Sequence, residues 1–226
     1  MWQMMDRILR DSEGFFAEIR EEKDLGTKIR ALLWLFVTVA VPYGFVMGCY
    51  RGLLVKAGWY FALASAVKVP VLFLGTLAVC LPATYMSNVL FGPRLSFRVM
   101  LTLLAATIAV SATTLAACLP IVAFFLIAGR NYLFIKLLHI GVFTLAGIFG
   151  LSFLWRGVEA VYQGRAYLQT ASLKIWMVIY GFVGAQMGWM LRPYFGNPHK
   201  PFHLFMPQES NFYANLIDTL RRCFSG

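Results

Sequence analysis

The side chains that could catalyse a reaction are few in this sequence, and they are scattered. Glu159 stands alone in a polar stretch, and His199 and His203 lie four residues apart near the C-terminus. Two histidines at this spacing can bind a metal ion from one face of a helix, but Pro201 between them argues against a helix. A membrane enzyme needs a clustered acid, base or metal site. The sequence therefore predicts no catalytic residues, no metal site and no cofactor.

The four cysteines do not indicate chemistry either. None belongs to a C-x-x-C pair, and three lie in or at the ends of apolar runs. A cysteine in such a position behaves as a small buried hydrophobe. We therefore interpret Cys49, Cys80, Cys118 and Cys223 as packing residues.

Two ionisable residues fall inside apolar runs, Lys68 and His139. Lys68 comes near one end of a long run, where a lysine can extend its ammonium to the lipid headgroups. We predict that it does so, with a functional buried ammonium as the alternative. His139 has apolar neighbours, which favours a packed histidine bonded to a backbone carbonyl over a ligand.

The elements that carry these residues are hydrophobic helices. Of the 226 residues, 60% are apolar and 13% are charged, whereas a soluble domain carries about 25% charged residues. Several runs approach or exceed the ~18 apolar residues that mark a transmembrane helix. The predicted fold is an all-α polytopic transmembrane helix bundle of about five spans. The predicted spans are 31–49, 58–86, 100–127, 132–155 and 175–191.

Prolines and glycines interrupt several of these spans. Pro42 and Gly44 are expected to kink the first span. Lys68 and Pro70 are expected to divide the second, whose deepest part is 69–83. Pro120 is expected to kink the third span or to end it early.

The chain divides into three predicted parts. Residues 1–30 form a cytoplasmic amphipathic segment, 31–194 form the helix bundle, and 195–226 form a proline-punctuated tail with an amphipathic helix over 208–224. The N-terminal segment places apolar residues at helical spacing, typical of a helix that lies on the membrane surface or packs on a partner. These residues are Met5, Ile8, Leu9, Phe15, Phe16 and Ile19. The segment is too charged for a cleaved signal peptide, so we expect it to be retained.

The fifth span carries a packing motif. Gly184 and Gly188 form a G-x-x-x-G, and Gly181 with Ala185 adds a second small pair one turn earlier. Glycines at this spacing form a groove that another helix backbone can approach. Gln186 at mid-depth needs a hydrogen-bond partner. We therefore predict that these five residues form a contact with another helix.

The third span and the tail carry two further features. The third span is rich in small and hydroxyl residues, which favours close helix packing, with a pore-lining stripe as the alternative. The tail has four prolines in sixteen residues, which lower the entropy it loses on docking. We predict that it is ordered and docked through these residues: Arg192, Pro193, Tyr194, Phe195, Phe202 and Phe205.

The net charge of +10 is unevenly distributed. The first 30 residues hold seven of the ten acids, and the rest of the chain has 14 Lys and Arg against three acids. This pattern suits loops that lie against anionic lipid headgroups. Nucleic-acid binding is disfavoured, because no basic run is interleaved with aromatic residues and no known fold signature occurs. The distribution of Lys and Arg favours a cytoplasmic N-terminus.

Three short motifs resemble the Yip1-like family of five-span membrane proteins. They are FFAEIRE at 15–21 before the first span, FGPRLSFR at 91–98 before the third, and Pro120 late in the third span. The resemblance covers about 15–194 and implies a non-enzymatic bundle of five helices. Eukaryotic members act in membrane traffic and organelle shape. The tail RPYFGNPHKPFHLF is not part of that family's pattern, which suggests a more specialised bacterial protein.

The expected function is that of a non-catalytic integral membrane protein, a scaffold or accessory subunit of a larger assembly in the bacterial cytoplasmic (inner) membrane. The expected partners are anionic membrane lipids and other membrane protein subunits or further copies of the chain, but no nucleic acid. A small transporter or channel is the alternative. Ion-coupled transport usually needs carboxylates inside the membrane, and these apolar runs contain none. A membrane enzyme that acts on lipids is a third possibility.

Overall fold

The computed structural model describes residues 2–54, 59–91, 95–128, 132–162, 178 and 180–186. This part of the chain is almost entirely helical. Helix α1 spans Trp2–Arg10, α2 spans Ser12–Arg20, α3 spans Leu25–Leu54, α4 spans Trp59–Phe91, α5 spans Phe97–Ala128 and α6 spans Tyr132–Tyr162.

Helices α3 to α6 are long enough to cross a membrane. Each has 30 to 33 residues, whereas a span needs about 20. In the described ranges, four segments have the necessary length and hydropathy: Leu25–Cys49, Trp59–Met86, Phe97–Ala128 and Phe134–Val161. They coincide with the first four predicted spans, so the prediction of an all-α integral membrane protein is confirmed. About half of the fifth predicted span lies outside the described residues, and the C-terminal helix lies wholly outside them.

Prolines lie inside three of these helices and do not end them. Pro42 lies in α3, Pro70 and Pro82 lie in α4, and Pro120 lies in α5. The prediction that Lys68 and Pro70 divide the second span is wrong, because α4 continues through both. The prediction that the third span ends early at Pro120 is also wrong, because α5 continues to Ala128. A proline removes one backbone hydrogen bond, and within a membrane bundle neighbouring helices and hydroxyl side chains can satisfy the freed group.

Helix α5 lies at the centre of the described bundle. It packs against α3 and α6 and also contacts α1, α2 and α4. Every residue in 102–112 is buried. The hydroxyls of Thr102 and Thr107 donate to the carbonyls of Arg98 and Leu103 in their own helix, at 2.7 and 2.8 Å. The small and hydroxyl residues of this span therefore serve helix packing, as predicted.

The N-terminal segment consists of two helices, with a break at Asp11. The Asp11 carboxylate accepts a hydrogen bond from the Gly14 amide at 3.1 Å and so caps α2. Phe15 is fully buried, and Phe16 is 3% exposed. The rings of Phe16 and Phe153 in α6 have centroids 4.9 Å apart. The prediction of one helix with an apolar face turned to lipid or to a partner is therefore corrected, because helices of the same chain cover these aromatic side chains.

Candidate functional site

The residues predicted to form the site lie only partly within the described structure. The helical stretch 180–186 includes four of the five predicted packing residues: Gly181, Gly184, Ala185 and Gln186. Gly188 lies outside the described residues. The six tail residues predicted to dock lie outside them too, so that part of the site stays a prediction.

The stretch 180–186 rests on α4 and leaves part of its glycine face open. A Cβ atom at Gly184 would lie 3.7 Å from the side chain of Thr76, which is an ordinary van der Waals distance. No described residue lies within 4 Å of a Cβ placed at Gly181. Tyr180 and Val183 are partly buried and pack against the core. One side of the stretch therefore contacts the bundle, and the side with Gly181 meets none of the residues that the structure describes.

A much closer contact joins α3 to α4. A Cβ atom at Gly44 would lie 2.5 Å from the carbonyl oxygen of Ser65, and one at Gly48 would lie 2.5 Å from the Cα of Ala62. The later glycine of α3, Gly48, faces the earlier residue of α4, Ala62, so the two helices are antiparallel. Only glycine leaves room for backbones at these distances.

Sequence reasoning missed this contact, although a signal was present. Gly44 and Gly48 form a G-x-x-x-G, and Ala62 and Ala66 repeat the four-residue spacing on the facing helix. The nearby Pro42 instead favours the interpretation of Gly44 as part of a kink. The structure assigns Gly44 to the α3–α4 contact.

Two glycines of α6 make comparable contacts at the other side of the bundle. A Cβ atom at Gly150 would overlap the hydroxyl oxygen of Ser111 in α5. One at Gly157 would lie 2.8 Å from the ring of Phe16 and 2.9 Å from the side chain of Leu103. Gly157 therefore provides the space that the Phe16 ring occupies between α5 and α6.

A buried pair of side chains connects α3 with α6. The hydroxyl of Tyr43 and Nδ1 of His139 are 3.0 Å apart, and the two residues are 1% and 0% exposed. The ring of Phe143 meets the ring of Tyr43 edge to face, with centroids 5.7 Å apart. The prediction that His139 is packed in the core is confirmed, but the partner of Nδ1 is the Tyr43 hydroxyl and not the backbone carbonyl that was expected. A hydrogen bond between helices in an apolar bundle stabilises their contact.

Removal of the Tyr43 hydroxyl should weaken the contact between α3 and α6. Tyr43→Phe keeps the ring and removes the hydrogen bond, so the free energy of unfolding should fall by about 0.5–1.5 kcal/mol. The measurement is unfolding of the purified protein by SDS in detergent micelles, followed by tryptophan fluorescence. Tyr60→Phe is the matched control, because Tyr60 is 73% exposed. Equal unfolding midpoints for the two variants would contradict the assigned role.

Lys68 is buried in the structure. Its exposure is only 8%, whereas a lysine that extends to the headgroups keeps its ammonium in water. The prediction of such an extended lysine is therefore wrong. Helix α4 begins at Trp59, so about 13 Å of helix separates Lys68 from that end. Ionisable residues at such depth generally face the interior of a bundle.

Among the described cysteines, the prediction of a packing residue is confirmed for Cys80 and Cys118, whereas Cys49 is partly exposed. Cys49, Cys80 and Cys118 are free thiols. Cys80 is 1% exposed and belongs to the core. Within the described ranges, no three side chains of His, Cys, Asp or Glu are grouped so that they could hold a metal ion.

An ionic cluster fixes the N-terminal helices to the start of α3. Glu18 in α2 pairs with Lys28 in α3 at 2.9 Å and with Arg7 in α1. Lys28 is 6% exposed and also donates to the carbonyl of Lys23 at 2.6 Å. The hydrogen bond from Lys28, assisted by Arg7, holds the pKa of Glu18 below its ordinary value. The Glu18 carboxylate therefore links three helices at this end of the bundle.

Comparisons with protein-family models, with curated proteins and with solved structures gave no match.

Proposed function

We propose that this chain is a non-catalytic scaffold or accessory subunit of a larger assembly in the bacterial inner membrane. The observation that carries the proposal is the open face of the stretch 180–186. Nothing in the described structure fills the space beside Gly181, and its neighbours Val178 and Phe182 are 72% and 52% exposed. A glycine bordered by apolar side chains suits the close approach of another transmembrane helix.

The occupant of this face is a transmembrane helix of a partner subunit or of a second copy of the chain. The proposed relationship to the Yip1-like family rests on the three sequence motifs and agrees with a non-enzymatic bundle. The basic loops that follow residue 30 support additional contacts with anionic lipid.

The test is purification in a mild detergent without cross-linking, followed by measurement of the mass of the complex. We expect a stoichiometric partner or a homo-oligomer. Gly181→Leu should reduce the recovered complex about tenfold or more, because the added side chain occupies the groove. Gly141→Leu is the matched control: no described residue lies within 4 Å of a Cβ atom at Gly141 in α6 either, but Leu137 and Leu145 stand four residues away, so Gly141 has no small partner like Ala185 with which to form a groove.

Two results would contradict the proposal. One is a wild-type protein that purifies alone as a monomer. The other is a complex that survives Gly181→Leu and Gly141→Leu equally. Insertion of both variants into the membrane should be normal, which separates a lost contact from a lost fold.

A small transporter or channel is a second candidate, and one observation favours it. Lys68 and His139 are ionisable and buried within membrane-spanning helices, and such residues often mark ion or proton pathways. The test is proton flux into proteoliposomes that contain a pH-sensitive dye. A proton flux that is present in the wild type and lost in His139→Leu would favour a transporter. The absence of proton flux from a wild-type protein that retains its partner would favour a scaffold.

A further inference from the structure

A cavity of about 260 Å³ opens where α2 joins α3, beside the start of α5. Its lining residues come from the continuous stretch 22–30 and from the start of α5, which the fold places beside it. They are Glu22, Asp24, Leu25, Gly26, Thr27, Arg30 and Arg98.

The cavity is lined by charged side chains of both signs, and these side chains do not form ion pairs with one another. Arg30 and Arg98 contribute two guanidinium groups, and Glu22 and Asp24 contribute two carboxylates. The ion pairs formed among the described residues involve other groups, including the cluster at Glu18. Two cations and two anions therefore line the same cavity, and none of them forms an ion pair with another described residue. A ligand that carries both a negative and a positive group would complement them.

The cavity lies at the level where the helices enter the membrane. Two of the candidate spans, Leu25–Cys49 and Phe97–Ala128, begin beside it. Arg30 lies about 7.5 Å along α3 from the beginning of its span, and Arg98 is the second residue of α5. Phospholipid headgroups occupy this level, just outside the hydrocarbon core.

We propose that this cavity binds the phosphoethanolamine headgroup of a phospholipid. Arg30 and Arg98 bind the phosphate, because a guanidinium matches phosphate oxygens in charge and geometry. Glu22 and Asp24 accept hydrogen bonds from the ammonium, which has three N–H donors like that of lysine. The proposal depends on the membrane location of the helices and not on the partner helix at Gly181.

Other common headgroups fit the cavity less well. Phosphocholine has no N–H to donate, and quaternary ammonium groups are typically bound by aromatic side chains; the described lining contains none. Phosphoglycerol has no cation for Glu22 and Asp24. This cavity is therefore expected to prefer the phosphoethanolamine headgroup, whereas the net charge of the whole chain favours anionic lipids.

The test uses the full chain in vesicles that contain equal parts of phosphatidylethanolamine, phosphatidylcholine and phosphatidylglycerol. Native mass spectrometry after release from the membrane counts the lipids that the protein retains. We expect phosphatidylethanolamine to be enriched about fivefold over either other lipid. Arg30→Gln and Arg98→Gln should each reduce this enrichment. Arg156→Gln should not, since Arg156 is an exposed arginine of α6 at the same end of the bundle.

A second variant tests the carboxylates. Glu22→Gln combined with Asp24→Asn should shift the preference toward phosphatidylglycerol, because the basic half of the cavity is then unopposed. The four charged side chains that line the cavity are exposed at the surface. The variants should therefore fold, and circular dichroism verifies this.

Three results would overturn the proposal. The first is retention of the three lipids in their mixing ratio. The second is equal retention of phosphatidylethanolamine by wild type and both arginine variants. The third is displacement of the lipid by micromolar soluble phosphoethanolamine, which would identify a ligand from solution instead of the bilayer. Soluble phosphoethanolamine and inorganic phosphate should both leave the retained lipid in place.

Discussion

Replacement of Gly44 by leucine should force α3 away from α4 and destabilise the bundle by about 1–3 kcal/mol or more. A Cβ atom at this position would lie 2.5 Å from the carbonyl oxygen of Ser65. That oxygen belongs to the backbone of α4 and cannot rotate aside, so the helices themselves must move. The measurement is the midpoint of unfolding by SDS in detergent micelles. Gly48→Leu should have a similar effect, because its Cβ atom would meet the backbone of Ala62.

Gly141→Leu is the control for this experiment. It introduces the same side chain into a membrane-spanning helix, but in the described part of the chain nothing lies within 4 Å of the added Cβ atom. Its unfolding midpoint should match that of the wild type. If Gly44→Leu unfolds at the same SDS concentration as Gly141→Leu, the α3–α4 contact is looser than the structure shows.

Truncation of Phe16 to alanine should release the N-terminal helices from the bundle. The ring lies 3% exposed, between Phe153 and the space provided by Gly157. Removal of a buried phenylalanine side chain costs about 3–5 kcal/mol in a well-packed core. If even part of this free energy comes from the contact between α2 and the bundle, its loss is enough for α2 to leave its site. Trypsin should then cut Phe16→Ala much faster than wild type after Arg20 and Lys23.

Phe124→Ala is the matched control, because Phe124 in α5 is 63% exposed. Its trypsin digestion should follow the wild-type time course, and the membrane-spanning helices of both variants should remain protected. Equal cleavage rates for Phe16→Ala and Phe124→Ala would show that the aromatic contact does not hold α2 in place.

The spans were predictable because the length of an apolar run is a local property of the sequence. About 20 apolar residues are needed to cross a bilayer whatever the neighbouring helices are, and α3 to α6 meet this requirement separately. The contacts between spans were less predictable. Gly184 with Gly188 and Gly44 with Gly48 have the same spacing, but only the fold shows that α4 lies against Gly44.

The errors at Lys68 and Pro70 share a physical cause. Both residues disfavour a membrane helix when they are considered singly, because one is charged and the other lacks a backbone donor. Helix α4 nevertheless continues through both residues, and the rest of the bundle buries Lys68. The N-terminal helices show the same limit, since an apolar face at helical spacing does not reveal whether lipid, a partner or the chain's own helices will cover it.

The docking of α2 on α6 also determines the order in which the molecule can be assembled. The ribosome synthesises Phe15 and Phe16 long before it synthesises Phe153 and Gly157, against which Phe16 packs. Until α6 has been inserted, Phe16 lacks the Phe153 side of its site, although the Glu18–Lys28 pair can already hold α2 beside α3. Helices α1 and α2 are thus made first, and their packing is completed last. Their docking marks a chain in which the four described spans have all been inserted.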